Sequence, residues 1–174
     1  MIRLAHTADL PAATSTAARA LLDAAFEGDF SDTDWENALG GTHALAFAGT
    51  ELIAHAALVQ RRLLHGERVL RAGYVEGVAV RSDHRRHGCA SALMSAVERL
   101  LPAYDLGALS ASAEAVALYA GRGWQRWRGP TFALTPDGVR RTEEDDGGVY
   151  VLPGAVPLDL DGGLTADWRA GDLW

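Results

Sequence analysis

Residues 85–90, with the sequence Arg-Arg-His-Gly-Cys-Ala, have the composition of a loop that binds a phosphate group. They lie between an apolar segment, 74–80, and an Ala/Leu-rich segment, 91–101, whose patterns predict a strand followed by a helix. Gly88 lets the backbone approach an anion closely, Arg81 adds to the positive charge, and N–H groups of the first helical turn would point at the anion. Short glycine motifs also occur by chance, so an ordinary surface turn explains these residues equally well.

The rest of the chain predicts the elements that would position this loop. Asp9 is the predicted N-cap of the first helix, and Thr33 or Asp34 that of the second. Gly73 and Gly77 fall inside the fourth strand, where glycine indicates a bulge or the close approach of another group. The patterns predict strands at 2–6, 43–48, 51–64, 69–80, 106–111, 124–127, 132–134 and 149–152, and helices at 12–26, up to 39, at 91–101 and at 113–120.

A second motif covers residues 115–124 and reads Ala-x-x-Leu-Tyr-x-x-x-Gly-Trp, with Tyr119 on a predicted helix. Taken alone, Tyr119 is an aromatic side chain that packs on a sheet. Together and in this order, the two motifs resemble the GCN5-related N-acetyltransferases (GNAT), in which the first motif binds the pyrophosphate of acyl-CoA. The resemblance implies the GNAT acyl-CoA N-acyltransferase fold, of class α/β (α+β). Such a fold has a mixed, mostly antiparallel central sheet with helices on both faces, here as one domain over residues 1–174.

Further segments, spread over nearly the whole chain, resemble a narrower family, the aminoglycoside 2'-N-acetyltransferases. The closing sequence, Asp-Trp-Arg-Ala-Gly-Asp-Leu-Trp, is far more specific than either superfamily motif. The resemblance implies an acyltransferase that uses acetyl-CoA to acetylate the 2'-amino group of aminoglycosides by direct transfer, which is an antibiotic-resistance activity. The segments are 28–30, 33–36, 39–41, 53–57, 60–63, 73–80 and 167–174.

The charge and composition of the chain limit the kinds of partner that it could bind. The net charge is −7 at pH 7, and acidic residues concentrate after residue 142, where Arg169 is the sole base. This distribution argues against binding nucleic acid, and acidic clusters alone are most simply a solvated surface. A polycationic aminoglycoside would give them a ligand. No apolar run is long enough to span a membrane, and the single Cys89 excludes an intramolecular disulfide, so we expect a cytoplasmic protein.

Acetyl transfer to an amine needs a neutral amine, a polarised thioester carbonyl and a proton for the departing thiolate. Glu76 is the predicted base, because a carboxylate between Val75 and Val78 in an apolar strand costs stability unless it has a role; the alternative is an exposed strand residue. The resemblance implies that Glu76 acts through a bridging water. The backbone N–H of Val78 would polarise the carbonyl, and Tyr119 would supply the proton.

The resemblance also implies the binding residues. Within the acidic run 143–146 the contacting residue stays open, and the C-terminal Trp174 could instead be a frayed end. His87 is predicted to fill the loop and Cys89 to pack, neither as a catalyst, and the histidines show no spacing typical of a metal site. The acetyl-CoA residues are Val78, Ala79, Val80, Arg85, Arg86, His87, Gly88, Cys89 and Ala90, and the aminoglycoside residues are Asp29, Asp34, Gly77, Ser110, Asp145, Asp172 and Trp174.

Two other functions fit parts of the pattern. A GNAT enzyme could acetylate another cellular amine or an aminosugar metabolite, and sequence does not separate these acceptors. A non-catalytic CoA-binding module is the other alternative, but it would need neither Glu76 nor Tyr119.

We also predict a homodimer whose apolar face uses the late strands with Trp124 and Trp127. A monomeric mass by light scattering would contradict this prediction.

Overall fold

The computed structural model describes residues 2–174. None of its helices over these residues is long and apolar enough to cross a membrane. The helices are α1 (Ala12–Ala25), α2 (Asp32–Asn37), α3 (Cys89–Glu98) and α4 (Val116–Ala120). The strands are β1 (Ile2–His6), β2 (Thr42–Ala48), β3 (Glu51–His65), β4 (Arg68–Val80), β5 (Leu106–Ser110), β6 (Gln125–Arg126), β7 (Thr131–Thr135), β8 (Gly138–Arg141), β9 (Val149–Pro153) and β10 (Leu164–Ala166).

The described chain forms two compact units. The first contains the residues up to Val59 together with Val75–Leu100, and the second contains Gln60–Tyr74 and Leu101–Trp174. The long strands β3 and β4 each contribute residues to both units. The single domain expected over 1–174 stays a prediction.

In the first unit, β1, β2 and the first part of β3 form an antiparallel ladder. Ile2 pairs with Ala46 and Thr42 with Leu58, and the β2–β3 register shifts between Ala46 and Phe47. Helix α3 packs against β1 and β2. The apolar face of α1 closes a core that holds the end of β4 in place, and this core consists of Ala18, Leu21, Leu22, Phe30, Leu45, Leu52 and Ala79.

In the second unit the strand order is β6-β9-β5-β4-β3-β10-β7-β8. The β4–β5 and β10–β7 pairs are parallel, while β5–β9, β6–β9, β3–β10 and β7–β8 are antiparallel. The prediction of a mixed, mostly antiparallel sheet is therefore confirmed. Gly73 in β4 marks a close approach, as predicted, because a Cβ there would lie 2.7 Å from Leu101 Cδ2.

The predicted helix caps were wrong. Asp9 belongs to a short 3-10 helix, and Pro11 precedes α1 without a side-chain cap. The N-cap of α2 is Ser31, whereas Asp34 is the third helical residue and completes a capping box with it. Serine three positions before an acidic residue satisfies the same backbone donors that we had assigned to a cap at Thr33 or Asp34.

Other differences concern the second unit. Helix α4 starts at Val116, later than predicted, and strands β8 and β10 were not predicted at all.

Trp124 and Trp127 are 3% and 0% exposed. Both indoles are core residues, so the expectation that they form an apolar dimer face was wrong, since neither can reach a second copy of the chain.

Candidate active site

Glu76, Gly77 and Val78 lie near the end of β4, in the first unit. Glu76 and Gly77 are half-buried and the preceding Val75 is buried, so Glu76 is not an exposed strand residue. Gly77 has a φ of +54°, and a Cβ there would lie 3.2 Å from Leu22 Cδ2. The left-handed backbone and the close side chain both favour glycine at this position.

A buried pair of histidines holds the carbonyl group of Gly77. His55 Nδ1 donates to Gly77 O at 2.8 Å, and His55 Nε2 lies 2.9 Å from His43 Nδ1. His43 Nε2 lies 2.8 Å from Thr7 Oγ1. The ring of Trp35 lies 6.1 and 6.2 Å from the rings of His43 and His55. Burial lowers the pKa of both imidazoles to about 4, so both are neutral at neutral pH.

The predicted anion-binding loop leads directly into α3. Gly88 precedes the helix with a φ of +79°, and among residues 2–174 no atom outside its chain neighbours lies within 4 Å of the place where a Cβ would stand. In the same part of the chain, no side chain caps this end of α3. Arg85, Arg86 and His87 are exposed. The open backbone, the positive charge and the helix N-terminus together fit a diphosphate group.

The other residues predicted to bind acetyl-CoA surround this loop. Ala79 is buried, and the carbonyl of Val80 accepts a hydrogen bond from Arg85 Nε at 3.3 Å. Cys89 and Ala90 begin α3 and are half-buried. This position fits the packing role predicted for Cys89.

Arg81 does not add free positive charge to the loop. Its guanidinium forms ion pairs with Asp83 and Glu51, and these carboxylates raise its pKa. The expectation that Arg81 contributes to anion binding was therefore wrong, because its charge is already compensated.

The two acidic residues predicted to bind substrate in the first unit differ in their surroundings. Asp29 is exposed in the turn after Gly28, whose φ is +86°. Asp34 is half-buried, and its Oδ2 accepts the backbone N–H and the hydroxyl of Ser31, both at 2.8 Å. One carboxylate oxygen of Asp34 thus stabilises the start of α2.

Tyr119 lies on α4 in the second unit and is 4% exposed. Its ring centroid is 6.1 Å from that of Trp124, and its backbone carbonyl accepts the Trp124 N–H at 3.1 Å. Burial raises the pKa of Tyr119 to about 12. The phenol therefore keeps its proton at neutral pH, as a proton donor must.

Three of the remaining predicted substrate residues meet around Thr142, also in the second unit. Desolvation raises the pKa of Asp145 most, and the negative charges of Glu144 and Asp172 raise it further. A hydrogen bond from Thr142 partly offsets this rise. The indole Nε1 of Trp174 donates to Thr142 Oγ1 at 3.1 Å. Thr142 therefore links Asp145 to the C-terminal residue, and the carboxylates beside it repel one another.

Ser110 lies at the end of β5, next to the turn that carries Asp145. The N–H of Gly148 donates to the Asp145 carbonyl at 2.9 Å, and a Cβ at Gly148 would lie 3.9 Å from Ser110 Oγ. Ser110 is exposed, so its hydroxyl is accessible beside the acidic turn.

The C-terminal tail is anchored rather than frayed. Trp174 is 4% exposed. Asp167 accepts from the buried Arg61, with Nε–Oδ1 and Nη2–Oδ1 distances of 2.9 and 2.8 Å. Two anchors seven residues apart along the chain, Asp167 and Trp174, hold the segment that carries Asp172.

Two other acids of the run 143–146, Asp146 and Glu144, have structural partners. Asp146 pairs with Arg141 and accepts the N–H and the hydroxyl of Thr131 at 3.0 and 2.9 Å. Glu144 pairs with Arg140 at 3.6 Å. Asp145 is thus the half-buried acid of the run whose pKa is raised by its carboxylate neighbours.

Sequence reasoning missed the supporting residues of both units. His43 and His55 occur inside apolar strands, the same pattern that singled out Glu76, but histidine there was given no role. Thr142 belonged to no motif, and Arg61 lay in the family-like segment 60–63 without being given a role. Their partners lie 32 and 106 residues away along the chain, so local patterns could not reveal them.

Residues 2–127 match the family described as Acetyltransferase (GNAT) domain. The chain belongs to the GNAT acetyltransferase family. It is 56% identical over 177 residues to the "Aminoglycoside 2'-N-acetyltransferase" of Mycolicibacterium fortuitum, a match that covers 99% of this chain and 91% of the relative. The family predicted from the motifs and from the closing sequence is confirmed.

Solved structures agree on the fold. Eis1 from Mycobacterium abscessus superposes with a TM-score of 0.63 at 20% identity over 76% of this chain. A GCN5-related N-acetyltransferase from Kribbella flavida superposes with a TM-score of 0.59 at 20% identity over 75% of this chain. This chain spans 33% and 35% of those two chains. The predicted GNAT fold is confirmed.

Proposed function

We propose that this GNAT acetyltransferase transfers the acetyl group of acetyl-CoA directly to the 2'-amino group of aminoglycosides. The observation that carries the proposal is the similarity to the Mycolicibacterium fortuitum enzyme, at 56% identity over 99% of the chain. The similarity includes the closing tail, so it extends beyond the residues 2–127 that match the acetyltransferase domain.

The electrostatics of the second unit support a cationic acceptor. Asp145 has a raised pKa partly because Glu144 and Asp172 repel its negative charge. A bound ammonium group would relieve this repulsion, since opposite charges favour the ionised carboxylate. Aminoglycosides carry several such groups. We assign Asp145, Asp172, Ser110 and Trp174 to acceptor binding, and we add Asp29, Asp34 and Gly77 from the family resemblance.

An acidic site creates a need for a base. Carboxylates attract the aminoglycoside but also raise the pKa of its amines, so the attacking amine must lose a proton. Glu76 is the base in this proposal and takes the proton through a water molecule. The N–H of Val78 donates to the thioester oxygen as negative charge develops there.

Tyr119 completes the proton balance. The amine forms the new C–N bond, the C–S bond breaks, and the CoA thiolate takes the phenolic proton. The acetylated nitrogen then loses its extra proton, which returns through solvent to the phenolate, and Glu76 releases its proton to solvent. The pKa of Tyr119, about 12, leaves the phenol protonated before the reaction, and no acetyl-enzyme is required.

The loop before α3 is the proposed binding site of the acetyl-CoA pyrophosphate. Arg85, Arg86 and His87 would face the diphosphate, and the backbone at Gly88, Cys89 and Ala90 would bind it at the N-terminus of α3. The backbone of Val78, Ala79 and Val80 would pair with the pantetheine arm like an added strand.

The deciding experiment measures thiol release from acetyl-CoA with two related aminoglycosides. Kanamycin B has an amine at the 2' position and kanamycin A has a hydroxyl there, so the pair is a matched control. We expect fast release with kanamycin B and little with kanamycin A. Release with neither, together with acetyl-CoA binding, would favour acetylation of another cellular amine or an aminosugar metabolite. The homodimer and the cytoplasmic location stay predictions.

A further inference from the structure

The buried imidazole of His55 contacts the strand that the proposed reaction uses and His43 contacts His55, yet the mechanism above gives neither a role. Both side chains are 0% exposed. Burying a polar ring is unfavourable unless its nitrogen atoms are hydrogen-bonded. The direction of those hydrogen bonds shows what the pair can do.

Thr7, His43, His55 and the carbonyl of Gly77 form a row of hydrogen-bonded groups. A single arrangement of protons satisfies every bond in this row. The carbonyl oxygen of Gly77 can only accept, so His55 carries its proton on Nδ1, 2.8 Å away. The Nε2 of neutral His55 then accepts from His43 Nδ1 at 2.9 Å. The Nε2 of His43 accepts from the Thr7 hydroxyl at 2.8 Å, and Thr7 Oγ1 accepts the Gly40 N–H at 2.9 Å. Every donor points towards Gly77.

The row ends on the peptide group that matters for the proposed reaction. The carbonyl of Gly77 and the N–H of Val78 belong to the same amide. A hydrogen bond accepted by an amide oxygen polarises the amide and makes its N–H a stronger donor. The bond also fixes the plane of a peptide that follows a residue with a φ of +54°.

The row transmits polarisation and orientation, not a proton. A carbonyl oxygen is not a base at neutral pH, so a proton that left His55 Nδ1 would have no group to receive it. The neutral state of both rings, with pKa values lowered to about 4 by burial, keeps the direction of the bonds constant over the pH range of the reaction.

We propose that His55, supported by His43, is a positioning residue that polarises and orients the Gly77–Val78 peptide so that the Val78 N–H stabilises charge on the thioester oxygen. The inference rests on the proposed function for the role of Val78. It is distinct from a packing role, since a packing role would not change the polarisation of a bound thioester.

Two substitutions of His55 and one control test this role. His55→Phe keeps a buried ring and removes the donor to Gly77. His55→Asn retains an amide N–H near the position of Nδ1. The matched control is His65→Phe in the second unit, because His65 Nδ1 donates to the Gly163 carbonyl at 2.9 Å.

The first readout is the infrared stretching frequency of the thioester carbonyl in bound [1-¹³C]acetyl-CoA, which requires no acceptor. In the wild type we expect this frequency to lie below that of free acetyl-CoA, because the Val78 N–H polarises the carbonyl. His55→Phe should return the frequency towards the free value. His55→Asn should lie between the two, and His65→Phe should match the wild type.

The second readout is steady-state kinetics. His55→Phe should lower kcat about tenfold, less than the loss of an oxyanion donor itself, with the KM for acetyl-CoA changed less than about twofold. Thermal unfolding checks that each variant is folded, and His55→Asn carries the test if His55→Phe does not fold.

The outcomes separate the two proposals. Wild-type protein that shifts the carbonyl frequency but does not acetylate aminoglycosides would refute the acceptor and still support the role of His55. Wild-type protein that does not bind acetyl-CoA would overturn both proposals. Folded His55 variants with the wild-type frequency and kcat would overturn the inference alone.

Discussion

Acidification should destabilise the protein through the buried imidazole of His55. Burial lowers its pKa to about 4, whereas a histidine in the unfolded chain titrates near ~6.5. The unfolded state therefore binds more protons between these values, and stability that is present above pH ~6.5 is lost as the pH falls towards the native pKa. For His55 alone, the free energy of unfolding should fall by about 2 kcal/mol between pH ~7 and pH ~5. His43 adds to this loss, because burial and the charges of His55 and His6 lower its pKa as well.

Urea unfolding followed by tryptophan fluorescence at these pH values measures this loss. The His55→Phe variant should lose about 2 kcal/mol less than the wild type over the same interval. Asp83 and Asp146 do not account for the difference, because ion pairs hold their pKa values well below the usual range and their contribution is lost only at lower pH. Equal losses in the two proteins, or a His55 ring that titrates near pH ~6.5 by NMR in the folded state, would refute the reasoning.

The remaining predictions concern the proposed roles. Tyr119→Phe should lower kcat about 10²-fold and leave acetyl-CoA affinity unchanged; wild-type turnover would exclude Tyr119 as the acid. Glu76→Gln should lower turnover most at low pH, where the amine is hardest to deprotonate, so an unchanged pH–rate profile would exclude Glu76 as the base. Deleting Leu173 and Trp174 should raise the KM for aminoglycosides and spare acetyl-CoA binding; intact acceptor kinetics would leave the tail a purely structural role. Asp145→Asn should raise the Tm, because it relieves repulsion, and also raise the KM for kanamycin B; a lower Tm would contradict this view of the acidic cluster.

The sequence predicted those parts of the fold that depend on local pattern. The long strands β3 and β4 and the loop before α3 follow from apolar runs and from glycine placement, and the structure has them within a few residues of the predicted bounds. Strand β10 was missed because it is short and exists through pairing with β3 and β7, far away in the chain. The cap of α2 was misplaced because Ser31, Thr33 and Asp34 are all capping residue types, and only the geometry selects among them.

The candidate site shows the same division. The residues proposed to carry the chemistry could be found in the sequence, Glu76 as a carboxylate in an apolar strand and Tyr119 as part of a motif. The residues that support the site around them could not. His55 acts on Gly77 across paired strands, and Thr142 contacts a tail residue 32 positions later, so their roles depend on tertiary contacts that no local pattern contains.

The acidic cluster of the second unit consists of Glu144, Asp145 and Asp172. The repulsion among these carboxylates explains why the residues that hold them in place are polar and buried. Carboxylates that repel each other destabilise the protein before a cation binds, so residues outside the cluster must hold them. Thr142 Oγ1 lies 2.9 Å from Thr131 Oγ1 and accepts the indole N–H of Trp174. Thr131 in turn bonds to Asp146, which Arg141 neutralises. Each link satisfies a buried polar group, and together they fix the C-terminus beside Asp145. A tail held in this way keeps its negative charge in place without the ligand, so binding a polycation need not first order the chain.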